Sequence, residues 1–295
     1  MKDLHPVFVY GTLQNGCSNQ ALLAGSISLG LARTDQHYVM RTAVDDSGRR
    51  GIPFVGQDLP ISSIHGEVYL VDDSTLAVLD RLEGCAPTDP EASWYRREKV
   101  SITLNLPVEH EGRYVDAFMY FREQPELPLV QSGRWLSAEP LEQPCWYFAY
   151  GSNMDPERMS SRAVRFNRCM SGTLKGHRLL FNKRGGDRRL GKVGYANAMP
   201  DAGHDLKGIL YQVAGHSLEA LDMFEGARDG NYVRRQVDIL VDGGEGASSR
   251  TAKAWVYFAG EEYLEDGLRV SDRYMRHIHR GQHLLGMLDS DPRCP

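Results

Sequence analysis

The sequence predicts an α+β chain of two tandem units, each a small curled sheet or barrel with a short amphipathic helix. Three observations lead to that expectation. An apolar strand running into Tyr-Gly occurs twice, as VFVYGTL at 7–13 and WYFAYGSNM at 146–154. Behind each copy the same three blocks follow in the same order. Between the copies, 122–145 holds four prolines and little periodicity, as a linker or wrap-around segment would. The boundary falls near residue 140, giving units 1–140 and 141–295.

The recurring blocks define the elements. GEVYLVDDSTLAVLDRLEG at 66–84 matches GILYQVAGHSLEALDMFEG at 208–226, WYRREKVSI at 94–102 matches NYVRRQVDI at 231–239, and VDAFMYF at 115–121 matches AKAWVYF at 252–258. Spacing is kept as well, with Tyr10 to Glu83 spanning 73 positions and Tyr150 to Glu225 spanning 75. GEVYLV alternates like a strand and ends at Asp72-Asp73-Ser74, a helix N-cap run. Leu76, Leu79 and Leu82 then recur at intervals of three, and Gly84 supplies the stop. Ser217, Leu218, Leu221, Phe224 and Gly226 repeat that design. Only the second copy carries a tail, 261–287, in which Tyr274, Ile278 and Leu285 mark a helical stripe.

Bulk composition excludes several classes. Hydrophobic content of 41%, charged content of 25% and 30 glycines across 295 residues describe a turn-rich globular chain. A formal charge of -5 gives no electrostatic reason to expect nucleic acid or an anionic membrane as partner. MKDLHPVFVYG offers only a short apolar run, so neither a signal peptide nor an anchor is expected, and no stretch has the length of a spanning helix. Cys17, Cys85, Cys145, Cys169 and Cys294 are an odd set without a C-x-x-C pair, the pattern of reduced thiols in a cytoplasmic protein. GDRRLGKV at 186–193 has Val193 where a phosphate-binding loop needs Ser or Thr. His277, His279 and His283 lack the Cys or acidic partners of a zinc pattern, so no metal and no cofactor are expected.

Glu83 and Glu225 are the candidate catalytic residues. Each sits in the last turn of its helix, where the partial negative charge of the helix end and apolar neighbours (Leu82, Phe224) both disfavour a carboxylate. A glutamate so placed is suited to shuttle protons near neutrality; one isolated Glu-Gly reads more simply as a solvated helix terminus, and it is the recurrence beside a distant Tyr-Gly block that favours the proton shuttle. The turns at Gly11-Thr12-Leu13 and Gly151-Ser152-Asn153-Met154 let a ligand approach main-chain N–H groups, or are ordinary strand ends with buried Tyr10 and Tyr150. Tyr95 and Tyr232 are open between core and pocket. In Arg96-Arg97 and Arg234-Arg235, alternation sends one member to solvent and the other toward a carboxylate.

These motifs resemble the γ-glutamylcyclotransferase-like family in both halves. YGTL, GIPFV, GEVYLVDD, LDRLEGC and SGRW resemble the γ-glutamylamine cyclotransferase and plant avirulence-induced-gene (AIG2-like) branch. FAYGSNM, FNKR, ANAMPD, GILYQV, LDMFEGA, NYVRR and RVSDRYM resemble enzymes acting on γ-glutamyl amino acids. The resemblance implies two small mixed barrels with flanking helices, no metal and no nucleotide, and Glu83 and Glu225 as acid/base. It places the γ-glutamyl head on Tyr10, Gly11, Thr12 and Leu13, and on Tyr150, Gly151, Ser152, Asn153 and Met154. The implied partner is a small γ-glutamyl compound, closed on itself to 5-oxoproline with release of an amine, and the halves could form an internal pseudo-dimer. Binding without turnover, or hydrolysis by the same carboxylate, are the competing readings. Glu83 to Tyr95 is 12 positions against 7 for Glu225 to Tyr232, so the halves are expected to differ in leaving amine.

Overall fold

The computed structural model describes residues 3–105, 114–185, 192–241 and 250–290. Most of the phosphate-loop-like stretch (186–191) and Cys294 lie outside the described residues. Contacts divide the chain into Met1–Pro140 and Leu141–Pro295. Among the described residues no helix is long and apolar enough to cross a membrane.

The first unit contains β1 (Leu4–Val9), β2 (Ile27–Arg41), β3 (Phe54–Gly56), β4 (Ser62–Asp72), α1 (Asp73–Glu83), β5 (Arg96–Leu104) and β6 (Tyr114–Phe121). The sheet runs β3-β2-β4-β1-β6-β5, and a further β2–β5 pairing closes five of its strands into a barrel. All pairs are antiparallel except β1 with β6. The consecutive apolar residues of β1 follow from burial on both faces. Phe8 joins Met40, Ile64, Ile102 and Phe121 in one cluster, while Val7 and Val9 pack with Leu76 and Leu79 of α1 in another.

The second unit repeats the plan with β7 (Cys145–Ala149), α2 (Pro156–Ser161), β8 (Phe166–Arg184), β9 (Gly194–Val213), α3 (Ser217–Glu225), β10 (Tyr232–Val241), β11 (Arg250–Ala259) and α4 (Asp272–Ser290). Its barrel closes in the order β10-β11-β7-β9-β8, and β7 with β11 is the parallel pair. Phe148, Leu210, Ile239 and Val256 form its core together with Tyr274 and Ile278 of α4.

Three of the four ends of α1 and α3 behave as the sequence predicts; at the start of α3 the N-cap is His216 with no side-chain cap, and Ser217 Oγ instead accepts from the Arg165 amide at 3.1 Å. Asp72 caps α1 by accepting from the Thr75 amide at 2.9 Å, and Gly84 and Gly226 close α1 and α3 in the left-handed region at φ 58° and 62°. The apolar stripe needs correction at its third position. Leu76 and Leu79 are buried but Leu82 is 41% exposed, and Leu218 and Leu221 are buried while Phe224 is 55% exposed. Steps of three fall about 60° short of a full helical turn each time, so the third residue leaves the core-facing side. In α4 the buried positions are Tyr274, Ile278, Gly281, Leu284 and Leu288, with Leu285 only half-buried.

Candidate active sites at the Tyr-Gly turns

Each unit ties its helix to its barrel with the same residues. Asp80, in the third position before Glu83, accepts from Arg97 of β5 at 2.6 Å and from the Tyr120 hydroxyl of β6 at 2.8 Å. Asp222 pairs with Arg234 of β10 at 3.1 Å and accepts from the Tyr257 hydroxyl of β11 at 2.7 Å. The strand-alternation expectation holds: Arg97 and Arg234 face the carboxylates, Arg235 is exposed, and Arg96 takes surface partners such as Glu123. Tyr10 and Tyr150 extend the tie, donating to the main-chain oxygens of Tyr120 at 2.7 Å and Tyr257 at 2.5 Å. Their rings therefore line the pockets while their hydroxyls are committed to the barrel wall.

Glycine opens each turn. A Cβ on Gly11 would stand 2.7 Å from the Pro53 side chain, and one on Gly151 would stand 2.8 Å from the Ala196 methyl. The turn main chain therefore lies at the floor of a cavity. In the first unit that cavity measures about 220 Å³ and is lined by Tyr10, Gly11, Thr12 and Leu13 together with Glu83 and Tyr95. In the second it measures about 390 Å³, and Tyr150, Gly151, Ser152 and Asn153 meet Glu225 and Tyr232. Met154 is the exception among the expected residues. It does not line the cavity but is 2% exposed and packs against Gly281 of α4, its carbonyl accepting from Tyr211 at 2.7 Å. Tyr232 lines the cavity and donates to the Ala196 carbonyl at 2.6 Å, so it serves both core and pocket.

The two glutamates have different surroundings. Glu83 is half-buried and, among the described residues, makes no hydrogen bond or ion pair; burial alone pushes its carboxyl from 4.5 up to about 7. Glu225 departs from the expectation of apolar isolation. Its Oε1 accepts from Arg162 Nη1 at 2.6 Å and from Asn153 Nδ2 at 3.1 Å. The same Arg162 nitrogen donates to Asn153 Oδ1 at 2.9 Å, locking turn, helix end and cation together.

Sequence reasoning missed the cations. In the first cavity Arg122, just after β6, lies over the rings of Trp94 (4.8 Å), Phe54 and Tyr95 (5.7 Å each). In the second, Lys183 of β8 donates to Asn231 Oδ1 at 2.9 Å within reach of the Tyr195, Tyr232 and Tyr263 rings. Desolvation lowers Lys183 from 10.5 to about 8. Arg158 and Arg162 come from α2 and its end. Lys183 was visible as part of FNKR; nothing in the spacing marked the two arginines.

A pair of barrels, each with a helix-terminal glutamate beside a Tyr-Gly turn, makes this an α+β protein of two tandem units with one candidate site in each. The chain belongs to the γ-glutamyl cyclotransferase, AIG2-like family, whose pattern matches residues 7–137 and 147–276. Among its relatives is a Methanocaldococcus jannaschii protein bearing γ-glutamylcyclotransferase as a provisional name, 38% identical over 128 residues, or 43% of this chain and 92% of that one. Gamma-glutamylaminecyclotransferase B of Danio rerio is 26% identical over 176 residues, covering 57% of this chain and 86% of its own. The crystal structure of YkqA from Bacillus subtilis covers 98% of both chains at 23% identity and a TM-score of 0.40.

Proposed function

We propose that each unit converts a γ-glutamyl amine or γ-glutamyl amino acid to 5-oxoproline and free amine, with Glu83 and Glu225 as acid/base residues. The observation that carries this reading is Glu83: a half-buried carboxyl without partners among the described residues, raised to about 7, in one cavity with the Tyr10-Gly11-Thr12 turn. Such a group can both take and return a proton near neutrality.

In a γ-glutamyl compound the nucleophile and the electrophile belong to one chain. Once the glutamyl chain is folded in the cavity, Glu83 or Glu225 removes a proton from the α-ammonium, and the amine nitrogen bonds to the γ-carbonyl carbon. The resulting oxyanion faces turn N–H groups, donors of a kind worth about 10²–10³ in rate. The amide C–N bond then breaks as the glutamic acid returns its proton to the departing nitrogen, and the second proton lost by the attacking nitrogen passes by way of the freed carboxylate to the released amine, leaving a neutral lactam and an ammonium. Holding the ends together supplies effective molarities of about 10⁵–10⁸ M in well-oriented cases. No water enters the balance.

The test is product analysis on a γ-glutamyl amide panel with the wild type, Glu83→Gln, Glu225→Gln and the double variant. Release of 5-oxoproline, falling about 10²–10⁴-fold in the double variant, is expected. Release of glutamate instead, or full activity in the double variant, would overturn the reading.

A further inference from the structure

Cation count separates the two cavities. The first holds one cation, Arg122, enclosed by aromatic rings, and one acid, Glu83. The second likewise has one ring-enclosed cation, Lys183, and, among the described residues, one lining acid, Glu225. It adds Arg158 and Arg162. Arg162 is neutralised at contact distance by Glu225, which leaves Arg158 in excess.

Arg158 keeps one guanidinium donor unpaired among the described residues. Its Nε is buried and has no hydrogen-bond partner, and its guanidinium sits 5.8 Å from the centre of the Tyr274 ring of α4. Asp155, the nearby carboxylate, is already engaged: Oδ1 accepts from the Glu157 amide at 3.0 Å and Oδ2 meets His277 Nδ1 at 2.6 Å. A buried guanidinium donor with nothing to donate to carries a desolvation cost that a bound anion removes.

Resting on the cyclotransferase reading above, we infer that Arg158 is a specificity residue of the second site, hydrogen-bonding a carboxylate on the leaving amine. Both units bind the same γ-glutamyl head under that reading, and each offers it one ring-enclosed cation and a Tyr-Gly turn. Arg158 lies on α2, which follows the turn only in the second unit; after the first turn the chain forms the short helical turn Gln20–Leu23 instead. A cation present in one site alone reads the part of the substrate that differs between sites. Arg158 thus lets the second site distinguish a leaving amine that carries a carboxylate from one that does not.

The test uses the full chain carrying Glu83→Gln, so that turnover comes from the second unit. γ-Glutamyl-alanine and γ-glutamyl-ethylamide differ only by the leaving-group carboxylate. Arg158→Gln should lower the ratio of their kcat/KM values about ten- to a hundredfold, the range for one hydrogen bond to a charged group, and Arg158→Lys should keep part of it. An unchanged ratio overturns the inference while leaving the cyclotransferase reading intact. Equal loss on both substrates also overturns it, by assigning Arg158 to the glutamyl head. If this chain forms 5-oxoproline from neither compound, catalysis by the second unit fails separately. Calorimetric binding of the two compounds then decides, with equal affinities ruling out the assignment.

Discussion

Arg162 Nη1 lies 2.6 Å from Glu225 Oε1, whereas Glu83, at the matching position, meets no cation among the described residues. One fold thus presents the same acid in two electrostatic settings. For the first unit the consequence is a pH profile. A base with a carboxyl raised to about 7 is protonated in acid, so 5-oxoproline formation by a Glu225→Gln chain should fall about tenfold per pH unit below 7 and level off above it. Initial rates from pH 5 to 8.5 check this, and a flat profile would remove Glu83 as the base.

The same shift acts on stability. Between 4.5 and about 7 the folded chain retains a proton on Glu83 that the unfolded chain has released, so this group's contribution declines as pH rises through that window. Glu83→Gln abolishes the penalty. The variant should exceed the wild type by on the order of 2 kcal/mol at pH 8, and the gap should close by pH 4.5. Urea unfolding at the two pH values measures it; a variant less stable than wild type at pH 8 contradicts the burial argument.

Asp80 and Asp222 do the same job with unequal strength. Arg97 contacts both oxygens of Asp80, at 2.7 and 2.6 Å, with both side chains 15% exposed. Arg234 contacts Asp222 at 3.1 Å, and these side chains are 26% and 27% exposed. Removing one partner of a well-buried pair strands the other charge, at about 3–5 kcal/mol. Asp80→Ala should therefore destabilise the chain by about 3 kcal/mol, and Asp222→Ala by less. Denaturant midpoints showing the reverse order would mean that solvent exposure does not govern these ties.

Sequence reading reached what the repeat repeats. Strand, helix, the Gly84 or Gly226 stop and one arginine per strand turned toward a carboxylate were legible because each leaves a residue in both copies, whereas Asp80 and Asp222 as those carboxylates emerged only from the structure. Arg158 and Arg162 escaped because α2 has no counterpart and charged residues in a short helix carry no periodic signal. Met154 was misplaced for a related reason: the tail helix that covers it belongs to the second copy alone, so comparing the copies could not show which face of the turn is closed. Leu82 and Phe224 sit where three-residue spacing and true helical pitch diverge, and both rim a cavity.

The clearest divergence between the sites is at the position before Tyr95 and Tyr232. In the second unit it is Asn231, turned inward to hold Lys183 at 2.9 Å. In the first it is Trp94, 71% exposed on the cavity rim, backed by Arg122 at 4.8 Å and fixed by its amide donating to the Gly84 carbonyl at 2.9 Å. The longer loop is tied as well, through the Ala86 amide on Ser93 Oγ at 2.8 Å, so Trp94 is presented by an ordered segment. A large ring left in water gains when an apolar tail covers it, at about 25 cal/mol per Å² of apolar surface buried. In a Glu225→Gln chain, Trp94→Asn should therefore cost about tenfold in kcat/KM for γ-glutamyl amines with aromatic tails and much less for γ-glutamyl-ethylamide, while Trp94→Phe keeps most of the preference. Equal losses on long and short amines would assign Trp94 to holding the loop, because a purely structural ring has no reason to distinguish one leaving group from another.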